Sequence, residues 1–225
     1  MSKAQKRRDF LIGTLIGDAL ALPVNKRPHH IIRTYFKGIK GYSQKYHAAE
    51  KPVTFRLGQN SVDPRPILAR LPIDFNDTLR DWLKKFVSLS SSSVVTLEKF
   101  YSLLYDGHLS NSPTEVLNHL FKESSARKHV QASLQMFPPD MIMHFDEAMN
   151  EHDAVLFAMA MVIRNPSDFE TTVLSTINMG GLTTITGAIT GGALALINGM
   201  ENIPRHLITS LEYTDEIIGI LNASR

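Results

Sequence analysis

A long stretch without any charged side chain constrains this protein more than any other feature. No Asp, Glu, Lys or Arg occurs from Thr171 to Met200. Within it, residues 178–200 (NMGGLTTITGAITGGALALINGM) mix small, hydroxyl and aliphatic side chains, as in a helix on which other backbones pack closely. We therefore predict a buried helix from Gly181 to Asn198, with Gly187 and Gly191 at its closest contacts.

The same stretch is long enough to cross a membrane, since about 20 apolar residues suffice. The spacing of Gly187 and Gly191 also matches the small-xxx-small pattern of associating membrane helices. However, six glycines and several threonines dilute its apolar character, and no aromatic belt or basic cluster borders it. We expect a buried core helix and no membrane partner.

Composition narrows the classes of function. The formal net charge of +2 is too small to indicate a nucleic-acid or anionic-membrane partner. The absence of cysteine excludes disulfides, thiolate nucleophiles and Cys-based zinc sites, so any catalysis must use oxygen and nitrogen groups. The basic segment Lys3–Arg8 precedes an apolar segment, as in a signal peptide, but the apolar segment contains Asp18 and lacks a small-residue cleavage site. We therefore expect no secretory signal and a cytoplasmic location.

Helical periodicity dominates the chain. Apolar residues recur at helical spacing from about Lys3 to Leu22, and Gly13 and Gly17 would let another helix approach this one closely. Further helices are predicted to begin at Asp74 or Asn76, Val94, Ser112, Ala154 and a capping box over Ser167–Glu170. Since there is no strand pattern, repeat or linker, we predict an all-α, single-domain orthogonal helical bundle over residues 1–225.

Two stretches lack helical periodicity. Residues 26–56 mix aromatic, basic and Gly residues and are predicted to form a long loop, and residues 88–93 to form a serine-rich turn. His29 and His30 lie in the loop, but adjacent histidines do not have the same-face spacing of a helical metal pair. A solvated loop is the expected environment for both.

Two segments near opposite ends of the chain carry motifs that occur together in a known family. Residues 13–25 are GTLIGDALALPVN, and residues 178–185 are NMGGLTTI, followed by Gly199 and Ile203-Pro204. They resemble the opening motif GDALG-x-P-x-E and the C-terminal motif N-x-GGDTDT of the ADP-ribosylglycohydrolase family, which includes the dinitrogenase-reductase-activating glycohydrolases. The resemblance implies an all-α bundle in which two magnesium ions, clamped by paired aspartates, activate a water that releases ADP-ribose from its acceptor side chain.

The C-terminal motif keeps the family's glycines and changes its acids. Leu182 and Thr184 stand where the family has aspartates, and Ile185 stands where it has a metal-facing threonine. Asn25 likewise replaces the acid that ends the opening motif. These departures put metal-dependent hydrolysis in doubt.

A third family motif, [TS]DDT, falls on residues 61–64 of this chain. Ser61 and Asp63 persist, but Val62 replaces the first aspartate and Pro64 the threonine. Magnesium prefers hard oxygen ligands, usually one or two carboxylates with water and substrate. Half of the expected ligand set is therefore missing, and an irregular turn with a surface aspartate is an equally good interpretation.

The resemblance assigns roles to the residues that match. Those expected to bind substrate are Asn178, Gly180, Gly181 and Thr183. Those expected to form a vestigial metal site are Ser61, Asp63 and Thr184, with Asp63 near Thr183 and Thr184 at the mouth of a cleft. No catalytic residue is assigned and no cofactor is expected, although magnesium could bind weakly.

Three functions remain open at this point. The first is a metal-poor, catalytically inactive relative that binds ADP-ribose, a nucleotide or a protein partner. The second is an active hydrolase of N- or O-glycosidic ADP-ribosyl bonds with a rearranged site that recruits another acid, such as Asp18, Asp74, Asp77 or Asp153. The third is a structural or interaction protein without a small-molecule site. The presence of a second acid within reach of Asp63 would favour the second function over the first.

Overall fold

The protein is built almost entirely of helices. A computed structural model describes residues 2–43, 56–107, 113–121 and 125–223. Its helices are α1 (Lys3–Ala21), α2 (His29–Ile31), α3 (Arg65–Leu68), α4 (Phe75–Lys85), α5 (Ser91–Tyr105), α6 (Pro113–Leu120), α7 (Ser125–Ser133), α8 (Pro138–His144), α9 (Glu151–Arg164), α10 (Phe169–Asn178), α11 (Thr183–Asn198), α12 (Arg205–Thr209) and α13 (Thr214–Ala223). The predicted all-α fold is confirmed, and its organisation as one domain stays a prediction.

Helices α1 and α11 form the centre and pack backbone against backbone. A Cβ atom added to Gly187 would lie 2.5 Å from the carbonyl oxygen of Gly17, and one added to Gly191 would collide with that of Gly13. Both helices therefore need glycine along this contact because any side chain would push them apart. The predicted buried helix and its closest contacts are confirmed, with the helix beginning at Thr183.

Three further helices enclose α11, because α5, α9 and α10 all pack against it. Tyr101 on α5 is fully buried and donates from its hydroxyl to the carbonyl of Ile189 on α11 at 3.0 Å. The ring of Phe10 on α1 contacts the same ring in an edge-to-face arrangement, with 4.9 Å between the centroids. A charge on α11 would have neither water nor a partner here, which explains the uncharged stretch. No helix in the described ranges has the length and apolarity to cross a membrane.

Side-chain caps determine where several helices begin. Of the two predicted caps of α4, Asp74 is the one observed. Ser90 caps α5. Helix α5 therefore starts inside the predicted serine turn at residues 88–93, so that the turn is shorter than expected. Asp168, rather than Ser167, caps α10, because its carboxylate accepts a hydrogen bond from the backbone N–H of Thr171. The predicted start at Ser112 lies outside the described residues.

A very small antiparallel sheet joins the segment that follows α1 to the segment that precedes α11. Strand β1 (Arg27–Pro28) pairs with β2 (Gly180–Gly181), with Arg27 opposite Gly181. The prediction of a loop over residues 26–56 is wrong for residues 27–36, which form β1, α2 and a π-helical turn at Ile32–Phe36. Residues 37–43 have no regular structure, as predicted. Residues 44–55 of that prediction lie outside the described residues. Two-residue strands have no detectable period, so the sequence could not reveal them.

Candidate functional site

The C-terminal end of α1 is where the segments with family motifs meet. Asp18 is 2% exposed and lies under residues 60–61. Its Oδ1 accepts a hydrogen bond from Ser61 Oγ at 2.7 Å, and its Oδ2 accepts from Ser61 N at 2.7 Å and from Asn60 Nδ2 at 3.1 Å. Asn60 Nδ2 also donates to the carbonyl of Leu15 at 2.7 Å. One buried carboxylate thus anchors the segment that carries the remnant [TS]DDT motif.

The environment of Asp18 opposes its charge. Burial raises the pKa of its carboxyl to about 6, while the hydrogen bonds from Ser61 and Asn60 favour the ionised form. Asp18 is one of the acids named above as available for a rearranged site. The burial of Asp18 is visible in the sequence, because this acid lies within an apolar helix segment. Its partner Ser61 could not be identified, because 43 residues separate the two.

Asp63 is engaged by a neighbour in the sequence. Its Oδ1 accepts from Arg65 N at 3.0 Å and from Arg65 Nε at 3.1 Å, and its Oδ2 accepts from Arg65 Nη2 at 2.9 Å. These hydrogen bonds lower the pKa of Asp63 below its usual range. Arg65 also pairs with Glu216 on α13, and its guanidinium lies over the ring of Tyr213 at 3.6 Å. The carboxylate is therefore held on the surface in a local ion-pair network.

The predicted substrate residues on β2 make close backbone contacts. A Cβ atom on Gly180 would collide with the carbonyl oxygen of Arg27, and one on Gly181 with that of Glu147. Both glycines also have positive φ angles, 94° and 78°, which other residues rarely adopt. These two glycines are thus explained by chain packing alone, and their contact with a substrate stays a prediction.

Asn178 and Thr183 both make hydrogen bonds to distant segments. Asn178 Oδ1 accepts from Ile39 N at 2.6 Å, and its Nδ2 donates to Ile39 O at 2.9 Å. Thr183 is fully buried and its Oγ1 donates to the carbonyl of Ala21, in the last turn of α1, at 3.0 Å. Asn178 therefore fixes the loop after α2, and Thr183 fixes α11 to α1.

The start of α11 is capped by an unexpected residue. Leu182 occupies the N-cap position, and its side chain cannot accept a hydrogen bond from the helix. Instead, Asn25 Oδ1 lies 3.4 Å from the backbone N of Thr184. The amide that replaces an acid in the opening motif thus stands in for the missing N-cap aspartate. Sequence analysis missed this link between two substituted positions.

Comparison with known protein families gives a match that includes the C-terminal motif. The model of the ADP-ribosylglycohydrolase family matches residues 73–224, which is more than half of the chain. The chain belongs to the ADP-ribosylglycohydrolase family. One solved structure, described as an ADP-ribosylglycohydrolase-related protein complex, aligns with 100% of this chain and 98% of its own at 16% identity and a TM-score of 0.48. No curated protein matches.

The family match contains Asn178 to Ile185 but not the segments with Asp18 and Asp63. Whether these two segments lie near the matched motif can be judged from their contacts with α1. Ser61 bonds to Asp18, whereas Thr183 bonds to the carbonyl of Ala21 about one turn further along α1. Both sets of family motifs therefore border the same end of α1. No hydrogen bond or ion pair among the described residues joins Asp63 to Thr184, so their common site stays a prediction.

Two cavities lie near these family segments. One of about 190 Å³ is lined by Arg56, Gln59 to Pro64, Glu212 and Tyr213. The other, of about 430 Å³, is formed by the loop from Phe36 to Ser43, which Asn178 holds in place. Lys37 and Lys40 border this second cavity and are exposed. The first cavity is small for a nucleotide-sized ligand, whereas the second falls within the range of small-molecule sites.

The donor set does not fit the family's pair of magnesium ions. In the described ranges, no three His, Asp or Glu side chains are grouped so that they could hold a metal ion. Ser61 is hydrogen bonded to Asp18, and Asp63 is paired with Arg65. Two metal ions need several free carboxylates to offset their charge. Among these residues, Asp18 can exchange a proton near neutral pH, because burial raises its pKa to about 6.

Proposed function

We propose that this protein uses the family's scaffold to bind ADP-ribose or a related nucleotide without magnesium and without hydrolysing it. The observation that carries the proposal is the ion pair of Asp63 with Arg65, because it pairs the one aligned acid with a cation of the protein itself. At the other aligned acid positions the chain has Val62, Leu182 and Thr184. A cleft bordered by such groups disfavours a bare divalent ion.

Positive side chains near the family segments support an anionic ligand. In active relatives, as the family resemblance implies, metal ions offset the charge around the substrate. Here Lys37 and Lys40 border the cavity formed by the loop from Phe36 to Ser43. Tyr42 fixes the end of this loop, since its hydroxyl donates to the carbonyl of Leu207 at 2.8 Å. Lysines act as point charges toward phosphates, so a diphosphate could bind here in the absence of metal.

Calorimetric titration of the protein with ADP-ribose tests the proposal. We expect binding of similar affinity in magnesium and in a chelator. Lys37→Met with Lys40→Met should weaken it at least tenfold, because two charges that face the phosphates are lost. Lys84→Met with Lys99→Met removes two lysines elsewhere on the surface and serves as the matched control. Absence of binding under both conditions would favour an interaction protein without a small-molecule site.

An activity assay separates binding from hydrolysis. We expect no magnesium-dependent release of ADP-ribose from ADP-ribosylarginine or ADP-ribosylserine substrates above background. Robust metal-dependent turnover that is lost in Asp63→Ala would overturn the inactive assignment.

One observation favours the alternative of an active hydrolase with a rearranged site. The exposed hydroxyl of Ser61 is hydrogen bonded to the buried carboxylate of Asp18, whose pKa of about 6 suits a general base near neutral pH. Under this alternative, turnover would occur without metal and would be lost in both Ser61→Ala and Asp18→Asn. Under the proposed function, the same variants change only the anchoring of residues 60–61.

Restoring the family's acids gives a direct test of the missing ligand set. The triple variant Val62→Asp, Leu182→Asp and Thr184→Asp adds three carboxylates and should raise the affinity for magnesium at least tenfold. The same positions changed to Asn keep the shape without the charge and provide the control. Equal magnesium affinity in the two triple variants would show that these positions do not share a site.

A further inference from the structure

A large cavity lies at the opposite end of α1 from the family's motifs. It has a volume of about 820 Å³ and is bordered by residues 2–5, 7 and 8 and by the neighbouring ends of α4, α5 and α13. Arg7 and Asp18 are separated by eleven residue steps along α1, or roughly 16 Å at 1.5 Å per residue. The cavity is therefore separate from the site of the proposed function, and its size suits a small organic ligand.

A buried arginine borders this cavity with part of its hydrogen-bonding capacity unused. Arg7 is 5% exposed, and its Nε donates to Thr78 Oγ1 at 2.9 Å. Its Nη2 is buried and has no hydrogen-bond partner, and the same is true of Nε of the neighbouring Arg8. Burial lowers the pKa of Arg7 because the charged form is desolvated. A buried N–H group of a cation without an acceptor is strongly unfavourable, so an acceptor is expected at this position.

The charges around the cavity favour an anion. Lys3, Arg7 and Arg8 contribute three cations, and Asp74 and Asp106 contribute two carboxylates. The carboxylate of Asp74 already accepts hydrogen bonds from two backbone N–H groups at the start of α4. The N-terminus of α1 adds partial positive charge and backbone N–H groups at the same border. These side chains leave one net positive charge, and the helix N-terminus adds about half a charge. The sum approaches the charge of roughly −1.5 to −2 that a phosphomonoester carries at neutral pH.

The remaining wall of the cavity is apolar and aromatic. Phe75 and Tyr105 stack at 4.7 Å between ring centroids with an angle of 26°. Ile73 and Leu221 complete this side, and Ile73 is 69% exposed, which is high for a large aliphatic side chain. Such a surface would bury a flat apolar group and gain the free energy of removing it from water.

We propose that this cavity binds a small phosphomonoester with a flat apolar body, whose phosphate oxygens accept hydrogen bonds from the guanidinium of Arg7 and whose body lies against Phe75, Tyr105 and Ile73. The planar guanidinium presents its N–H groups in a fork that matches two phosphate oxygens. Lys3 and Arg8 supply the additional positive charge at the cavity border. This ligand is independent of any molecule bound near Asp18.

Phenyl phosphate is a suitable probe, and calorimetric titration of the full chain measures its binding. Inorganic phosphate, phenol and benzoate separate the contributions of the anion, the ring and a singly charged carboxylate. We expect phenyl phosphate to bind at least tenfold more tightly than each of the other three. Weaker binding of phenyl phosphate than of benzoate, or no binding at millimolar concentration, would overturn the proposal.

Three variants locate the binding site. Arg7→Met removes the charge and should weaken binding of phenyl phosphate at least tenfold. Ala4→Trp leaves Arg7 in place and fills the cavity from an exposed position in the first turn of α1, so it should block binding even if Arg7→Met fails to fold. Arg80→Met removes an exposed arginine of α4 outside the cavity and is the matched control. Undiminished binding in Ala4→Trp would overturn the assignment to this cavity.

Discussion

The contact between α1 and α11 allows a quantitative test at Gly187. In Gly187→Ala, the added Cβ atom would lie 2.5 Å from Gly17 O, 3.0 Å from Ile177 Cγ2 and 3.1 Å from Ala21 Cβ. Ordinary contacts begin at 3.4 Å, so the closest contact is about 0.9 Å too short. Its partner is a backbone oxygen in the middle of a helix, which cannot rotate away. The two helices must therefore separate by about 1 Å.

The magnitude follows from two opposing effects. Overpacking of a core costs about 1 to 3 kcal/mol or more, and a gap of this width also removes a quarter to a half of the dispersion energy of the atoms that lose contact. Alanine gains about 1 kcal/mol over glycine in helix propensity. Since the close contact is with a rigid backbone oxygen, we take the upper end of the overpacking cost, about 3 kcal/mol. Subtracting the gain in helix propensity leaves a net loss of about 2 kcal/mol for Gly187→Ala, and Gly187→Leu should lose more.

Urea denaturation followed by the fluorescence of Trp82, the single and fully buried tryptophan, measures this loss. With a slope near 3 kcal/mol/M for a chain of this size, the midpoint should fall by about 0.7 M. Gly219→Ala is the matched control, because Gly219 also lies in a helix but a Cβ atom there meets nothing within 4 Å. It should raise stability by about 0.5 to 1 kcal/mol. A midpoint for Gly187→Ala at or above that of the unmodified protein would refute the close packing of these helices.

Two further predictions concern buried polar groups. Burial raises the pKa of Asp9 to about 6, so the folded state binds its proton more tightly than the unfolded state and stability should fall as pH rises from about 4 to 6. Urea denaturation at several pH values measures this fall, of which Asp9→Asn should remove roughly 2 to 3 kcal/mol. The substitution Asp140→Asn, at an exposed position, should leave the fall unchanged. A pH profile of Asp9→Asn identical to that of the unmodified protein would contradict the burial of this charge. Thr183→Val should lower stability by about 1 to 3 kcal/mol, because the buried carbonyl of Ala21 loses its donor, while Thr96→Val on the exposed face of α5 should change it by less than about 0.5 kcal/mol. Equal effects of the two threonine substitutions would argue against a buried hydrogen bond at Thr183.

The sequence was sufficient to predict the centre of the fold. Gly13 and Gly17 in one helix, and Gly187 and Gly191 in another, share a four-residue spacing, which places each pair on one helix face. A helix face with two glycines indicates close packing against another helix, and the uncharged stretch indicates that the second helix is buried. Both signals are local and periodic, so they survive in a single sequence without knowledge of the partner.

The arrangement of the candidate site could not be predicted in the same way. Ser61 matches a ligand position of the family motif, but its actual partner Asp18 is brought to it by the fold across 43 residues. The pairing of Asp63 with Arg65 depends on side-chain rotamers rather than on spacing, and the capping of α11 by Asn25 joins the segment after α1 to the first turn of a distant helix. Contacts of this kind leave no periodic pattern, because each involves a single pair of residues.

The difference between the two sets of residues has a physical basis. The glycines of α1 and α11 are required by packing alone, so a chain with this fold needs them whatever it binds. Clustered carboxylates, in contrast, repel one another unless a cation offsets their charge. Under the proposed function the chain holds no magnesium, so aspartates at residues 62, 182 and 184 would repel one another, and Val62, Leu182 and Thr184 would avoid that repulsion. Asp63 can remain because Arg65 supplies the positive charge that a metal ion would otherwise provide. Under the proposed function, Arg65→Met should consequently leave Asp63 unpaired and raise its pKa toward the ordinary value, which NMR titration of the carboxyl would measure. A pKa of Asp63 that does not change in Arg65→Met would mean that another group holds this carboxylate in its charged form.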